Sequence, residues 1–430
     1  MDWLCRILLP VVIPLKIYYS KCVTIGQRNS LTVALHQPVM IKELTFLKKN
    51  KLEWREKPEP KIQQAKEAII RPFVASRCDG DSIFLFHNFS KAIRLGVNIH
   101  FLDRKVLDVF GKRPFEGPFC VGHECIGEIV ETGDEVHQFR KGQVVIVPWA
   151  ISCGACSICN AGIYSNCHNS GDNKLISAYG FGEGMGGWGG SVSDLLRVPF
   201  ADSMLVEVPD GVNPYDCSSL SDNISDAYRT VGPQLKKVPN APVLVMGGAA
   251  KSIGLYAALF AVALGSSQVD YVDTDDVRLE IAQKIGANPV KITKSTSLKA
   301  LSMSLRKDGY PITADASGSV KKLNFALRML SCGGICTSAA FYLRKESPIP
   351  LWDMFSKSAT FHIGVSHPRR DIPEILPLIQ RGIFKPQLIT TLSADWSDAP
   401  KAYLEKTTKL VVKRDPIFKE NVTKYKTQLP

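Results

Sequence analysis

No stretch of the 430-residue chain is an unbroken apolar run of bilayer length. The nearest, WLCRILLPVVIPLKIYY, is interrupted by Arg6, Pro10, Pro14 and Lys16, and the following KIYYSKC offers no small-residue cleavage site. A membrane span and a cleaved secretory leader are set aside on those grounds. Basic but for Asp2, the segment leaves an organelle-targeting presequence open. The expectation is a poorly ordered extension over residues 1–39, with the functional fold starting at Met40. Nor does any segment concentrate Lys and Arg among aromatics, so the net charge of +12 does not argue for nucleic acid. It suits a surface that tolerates phosphate-bearing ligands. Internal repeats and low-complexity tracts are absent. Eight of the twelve cysteines, at positions 5, 22, 78, 120, 125, 217, 332 and 336, lack the spacing of a disulfide framework, which points to a reducing, cytoplasmic setting.

The remaining four, Cys153, Cys156, Cys159 and Cys167, read C-x2-C-x2-C-x7-C. Four thiolates on one short lobe close a tetrahedral shell around zinc, the arrangement of a structural site with no open position for chemistry. Two disulfides are the alternative, and they would need an oxidising compartment.

Composition is that of a globular protein, 45% hydrophobic and 22% charged, in a chain long enough for two cores. From about residue 40 to 220, short alternating strand patterns such as CIGEIVETGDEVHQFRKGQVVIVPW are separated by Gly and Pro turns, a β-rich pattern. From Ala241 the character changes: strands such as APVLVM and QVDYVD alternate with helical runs such as LYAALFAVALG and DVRLEIAQKIGA. That alternation implies a parallel, doubly wound sheet with both faces covered. It is expected to stop near Phe341, after which DIPEILPLIQRG packs back on the β-rich part.

The turn after the first of these strands is Gly247-Gly248-Ala249-Ala250-Lys251-Ser252-Ile253-Gly254, glycine-rich but not a clean G-x-G-x-x-G. Such a turn lets backbone approach a pyrophosphate at a helix N-terminus. Asp273 closes the next strand, nineteen residues after Gly254, where a carboxylate can accept from both ribose hydroxyls and repel a 2′-phosphate. NAD is favoured over NADP, although Arg278 lies near enough in sequence to keep NADP in view.

Three further elements stand in order along the chain: Cys78 with Asp81 in SRCDGDSIF, His123 with Glu124 in VGHECIGEIV, and Asp222 in SSLSDNISDAYRTV. With the cysteine lobe and the nucleotide turn, their order resembles the zinc-containing medium-chain dehydrogenase/reductase family of the alcohol dehydrogenase type, from about Met40 to about Asp415. The Leu-Ser-Asp element at Asp222 resembles the glutathione-independent formaldehyde dehydrogenase branch, where an aspartate replaces a cysteine ligand. The resemblance implies a chaperonin-like (GroES-like), β-rich catalytic domain over residues 40–222, a Rossmann domain over 223–340, a return segment over 341–414 and a tail over 415–430. It implies two zinc ions per chain: a catalytic ion held by Cys78, His123 and Asp222, and a structural ion on the cysteine lobe. Asp81 would orient His123, and Glu124 would sit behind the metal. Gly247, Gly248, Ser252, Ile253, Gly254, Asp273 and Arg278 would bind NAD. The implied activity is hydride transfer between an alcohol or aldehyde and NAD in a homo-dimer or homo-tetramer. Alternatives are a polyol or amino-acid hydroxyl dehydrogenase, or a nucleotide-binding protein with little turnover.

The chain departs from that family at three places. Gly80 stands where a Ser or Thr hydroxyl relays the substrate proton, which leaves water, Asp79, His87 or His100 for that task. Residues 83–117 are longer than usual and are expected to shape the substrate pocket. Asp79 is an acid on the pyrophosphate path, unfavourable unless paired, and Arg369 or Arg370 is the expected source of the compensating charge.

Overall fold

A computed structural model describes residues 38–171, 175–293 and 295–425. All but the last two residues of the expected 1–39 extension lie outside the described residues. The alternating apolar residues of β1 (Met40–Lys48) bury one face and pair it antiparallel with β2 (Lys51–Pro58) and with Phe119–Cys120. A larger sheet is built on β3 (Ala68–Ser76), β4 (Glu124–Thr132) and β5 (Val144–Val147), paired antiparallel in that order. β3 is buried along almost its whole length, so it reads as a continuous apolar run. Pro72, which cannot donate to the ladder, falls where the β3–β4 register shifts. The sheet is completed from far along the chain: Leu410–Lys413 pairs antiparallel with β3, and Leu392–Asp395 lies beyond it.

Between β3 and β4 the chain makes a helix, α1 (Phe89–Asn98), whose buried Ile93 and Val97 join a small cluster with Val106. A long helix, α2 (Asn223–Lys237), then leads into six parallel strands: β6 (Val243–Met246), β7 (Val269–Asp273), β8 (Asn288–Lys291), β9 (Tyr310–Asp315), β10 (Leu330–Ser338) and β11 (Thr360–Ile363). Their spatial order is β8-β7-β6-β9-β10-β11, which reverses direction beside β6 and is the doubly wound order expected of a Rossmann sheet. α3 (Lys251–Ala263) is buried nearly all round, as its unbroken LYAALFAVA requires. α4 (Asp276–Lys284) follows β7 and α5 (Val320–Arg328) follows β9. The alternation does not stop near Phe341. A further helix, α6 (Leu351–Ser356), is followed by the sixth strand, β11. That strand is an edge with mostly exposed side chains, so no apolar run marks it in sequence.

α7 (Pro368–Gln380) packs on α2 and carries the return to the β-rich sheet. Residues expected as a tail begin with α8 (Lys419–Tyr425), docked where Asn421 donates to Glu128 Oε1 at 2.8 Å. One core cluster joins Phe73, Val74 and Ile126 of the β-rich sheet to Val243, Val245 and Tyr256. The ends of β3 and β4 are thereby held against the β6–α3 turn.

Candidate active site

Cys78 follows β3 directly and caps a single turn, Asp79–Asp81; its Sγ accepts from Gly80 N at 3.3 Å, and its own N–H donates to Asp81 Oδ2 at 3.2 Å. His123 immediately precedes β4. Gly122 before it has φ +91°, and a side chain there would run into Ser191 and Val192. Asp222 heads α2. The three converge: Cys78 Sγ lies 3.1 Å and His123 Nε2 3.4 Å from Asp222 Oδ2, and the three donor atoms all lie within 4.8 Å of one another. His123 Nδ1 faces Asp81 Oδ1 at 3.6 Å, just beyond hydrogen-bond reach, and both atoms are buried without another partner. Ser366 donates to Asp222 Oδ1 at 2.6 Å.

Burial, with the nearby charges of Asp222, Glu124 and Asp81, pushes the Cys78 thiol well up. Burial opposes charge on His123 too, but Asp81 and Asp222 outweigh it and raise its affinity for a proton. Burial likewise works against the Asp222 carboxylate, yet its bonds from His123, Ser366 and Cys78 bring it below the ordinary range. A buried set of one thiol, one imidazole and one carboxylate, crowded by further acids, is stabilised by a divalent cation at its centre. Its chemistry fits zinc.

Glu124 is turned away from the cluster. Its Oε1 accepts from Asn223 N at 2.9 Å and its Oε2 from Lys409 Nζ at 2.6 Å, with Glu124 and Lys409 both fully buried. Phe181 lies against His123 with ring centres 4.6 Å apart, and Trp149 stands at 6.3 Å. Phe115 connects that wall to residues 83–117, touching Phe181 at 5.8 Å and Phe84 at 5.4 Å. His87 and His100 are exposed.

The four lobe cysteines are free thiols, also within 4.8 Å of one another, so the disulfide alternative falls. Backbone N–H groups point at their sulfurs: Cys153 and Asn169 donate to Cys167 Sγ at 3.3 Å each, and Ala155 to Cys153 Sγ at 3.4 Å. Burial opposes charge on Cys156, but N–H groups of Cys159 and His168, with the thiols of Cys159 and Cys153, together outweigh it and bring Cys156 down to about 6. This donor set also fits zinc. The lobe is tied to the chain before α7, where Ser165 Oγ donates to Ser366 O at 2.6 Å and Ser165 N to His367 Nδ1 at 3.3 Å. Ser366 thus bonds Asp222 on one side and Ser165 of the cysteine lobe on the other.

At the nucleotide turn, Gly247 and Gly248 have no room for a side chain, which would meet Asp273 and Tyr271 or Ser317. Gly254 packs α3 close to Ala316. Asp273 is buried and fully engaged: it accepts from Arg278 Nε at 2.7 Å, Arg278 Nη2 at 2.8 Å, Tyr271 Oη at 2.8 Å and Thr274 N at 2.6 Å. Burial works against its charge, but Arg278 and Tyr271 hold it below the usual carboxylate range. Ser252 N and Ile253 N, at the start of α3, donate to Asp79 Oδ2 at 2.7 and 3.1 Å, and Ser252 Oγ adds a third bond at 3.1 Å. Asp79 is therefore paired, though not with the arginines expected: Arg369 donates to Ser203 O, and Arg370 pairs with Asp371.

Residues 94–210 match the model of the alcohol dehydrogenase GroES-like domain and residues 252–381 that of the zinc-binding dehydrogenase. A probable zinc-binding alcohol dehydrogenase of Mycobacterium tuberculosis is 28% identical over 308 residues, 72% of this chain and 74% of that one. A glutathione-independent formaldehyde dehydrogenase of Bacillus subtilis is 35% identical over 182 residues, 41% of this chain and 44% of that one. Among solved structures, the alcohol dehydrogenase of Thermus sp. ATN1 superposes with a TM-score of 0.71 at 24% identity, covering 86% of this chain and 99% of that one. The chain belongs to the zinc-containing medium-chain dehydrogenase/reductase family. It is an alcohol dehydrogenase-like, zinc-dependent oxidoreductase, and the family implies a nicotinamide cofactor.

Lys409, Ser366 and Asn223 join the polar network around the cluster with little local sequence signal. Lys409 lies 285 residues from Glu124, and only the return of the late strand Leu410–Lys413 beside β3 brings the pair together. A lysine before an apolar strand was the one available hint. The nicotinamide dinucleotide fits in position but not in state, because its expected anchors, Asp273 and the α3 N–H groups, are already bonded within the chain.

Proposed function

We propose that Cys78, His123 and Asp222 hold a catalytic zinc and Cys153, Cys156, Cys159 and Cys167 a structural one, in a dehydrogenase of a small alcohol or aldehyde. NAD is preferred to NADP, the assembly is a homo-dimer or homo-tetramer, and the compartment is the cytoplasm. No helix among the described residues is long and apolar enough to cross a membrane. The observation that carries this reading is the convergence of three donors from three well-separated parts of the chain, with aspartate rather than a second cysteine completing the set. The resemblance of the Leu-Ser-Asp element to the glutathione-independent formaldehyde dehydrogenase branch supports aspartate in that place.

Zinc held by Cys78, His123 and Asp222 would supply Lewis acidity toward the substrate oxygen, and a nicotinamide bound at the turn before α3 would supply hydride exchange with the substrate carbon. The chain's own residues set the frame. Asp81 orients His123 through Nδ1 and so commits Nε2 to the cluster. Ser366 holds Asp222 by its second oxygen, leaving Oδ2 for the metal. Phe181 and Trp149 form an apolar wall beside His123 that excludes water and suits a small organic substrate. With Gly80 lacking a hydroxyl and His87 and His100 exposed, water carries the substrate proton out.

The irregular glycine turn and Gly80 in place of a relay hydroxyl support a second reading, a nucleotide-binding member of the family with little turnover. One preparation separates the two. Zinc is measured by metal analysis while NAD and NADP reduction is followed over a panel of alcohols and aldehydes. We expect two zinc ions per chain and reduction of NAD above NADP; no reduction of either selects the second reading, and absence of zinc removes the first. In Cys156→Ser, one zinc remains, the melting midpoint falls, and turnover persists while the protein is folded.

A further inference from the structure

The bonds from the start of α3 to Asp79 put a carboxylate where the family reading puts a phosphate. A helix N-terminus offers unpaired N–H groups and the positive end of a dipole, and a pyrophosphate is bound there by those groups. In this chain Ser252 N, Ile253 N and Ser252 Oγ all converge on one oxygen, Asp79 Oδ2. Other charges reinforce the seat: Lys409, Lys251 and Arg77 all lie close enough to act on Asp79. The helix end and its cationic surroundings together form a built anion seat, and the anion in it is the chain's own.

We propose that Asp79 sets how tightly this chain binds its dinucleotide: its carboxylate occupies the anion seat at the start of α3, and a cofactor pyrophosphate enters only by displacing it. The inference rests on the nicotinamide reading above. A tethered competitor acts at a high effective concentration, so it lowers apparent affinity by the fraction of time it holds the seat. Displacement has a second consequence, because Asp79 is one residue from Cys78 within a turn capped by Cys78 and Asp81. Moving its carboxylate off α3 moves the turn that presents Cys78, which couples cofactor entry to the metal cluster. The far end of the crevice repeats the pattern more mildly, since Asp273 is occupied by Arg278 and Tyr271, whose bonds a ribose hydroxyl can share.

The test compares zinc-loaded wild type, Asp79→Asn and Asp79→Gly. NADH binding is titrated by fluorescence, with inorganic pyrophosphate and adenosine as partial probes, and zinc content and melting midpoint are measured on the same samples. Asn keeps an acceptor for the N–H groups and removes the charge; Gly removes both. The expected result is NADH and pyrophosphate binding tightened by about tenfold or more in each folded variant, with adenosine binding unchanged. Asp79→Asn covers the case in which the glycine variant does not fold. Equal NADH binding by all three proteins overturns the proposal and leaves the nicotinamide reading standing. Weaker binding in the variants, or an equal change in adenosine binding, overturns it as well. No NADH binding by any of them overturns both.

Discussion

At the metal cluster the donors of Cys78, His123 and Asp222 converge while His123 Nδ1 and Asp81 Oδ1 remain unpartnered; at the nucleotide turn the carboxylates of Asp79 and Asp273 already hold their bonds within the chain. Cys78 of the first and Asp79 of the second are neighbours in the chain, and the difference shows what each ligand must do. A dication entering the first region replaces the contacts of Cys78 Sγ and His123 Nε2 with Asp222 Oδ2 by its own and relieves the crowding of acids around a buried thiol. A dinucleotide entering the second must exchange existing hydrogen bonds for its own, so only the surplus of the exchange appears as affinity. What separates them is that His123 Nδ1 and Asp81 Oδ1 are left unsatisfied in the first, whereas the carboxylates of the second are bonded before the ligand arrives.

The largest expected effect would break the metal side of that contrast. Asp222→Ala should remove one zinc per chain and reduce turnover by more than about a hundredfold, the upper end of the loss from removing a mere supporting partner. Metal analysis and steady-state rates check it, and an unchanged zinc count would return Asp222 to the role of a helix cap. On the nucleotide side, Arg278→Ala leaves Asp273 buried without its counter-charge. Breaking such a pair from one side costs roughly 3 kcal/mol, to be read as a shift in the denaturant midpoint. A near-zero shift would mean that Asp273 is not committed, and the contrast would dissolve.

The smallest effect sharpens the link between the cysteine lobe and α7. Burial, then the charges of Arg370 and Arg229, bring His367 down to about 4 from its ordinary 6.5. Unfolded chains therefore take up this proton below about pH 6.5 and the folded chain only near pH 4. Across that window the unfolded state binds more protons, so stability falls as pH falls, by at most about 3 kcal/mol. Thermal midpoints between pH 7 and pH 4 should show the slope in wild type and lose it in His367→Gln.

Much of this was legible in the chain. The cysteine spacing marked the lobe, and the alternation after Ala241 marked four strands of the parallel sheet. The two edge strands, Asn288–Lys291 and Thr360–Ile363, escaped because an exposed edge strand needs no apolar run. Asp79 stood out as an acid in an unfavourable place, yet its partners were sought among arginines. They are backbone N–H groups, which every residue but proline carries and which no sequence pattern can single out.

Residue types and their order alone determined the kind of chemistry: which side chains can bind zinc, which turn can approach a phosphate, and which family joins them. Only the tertiary structure decided which of those groups are already spent. Satisfaction of a buried polar atom depends on what the fold brings within about 3 Å of it. Lys409 comes to Glu124 from 285 residues away and Asp79 to Ser252 from 173, distances along the chain over which spacing carries no information.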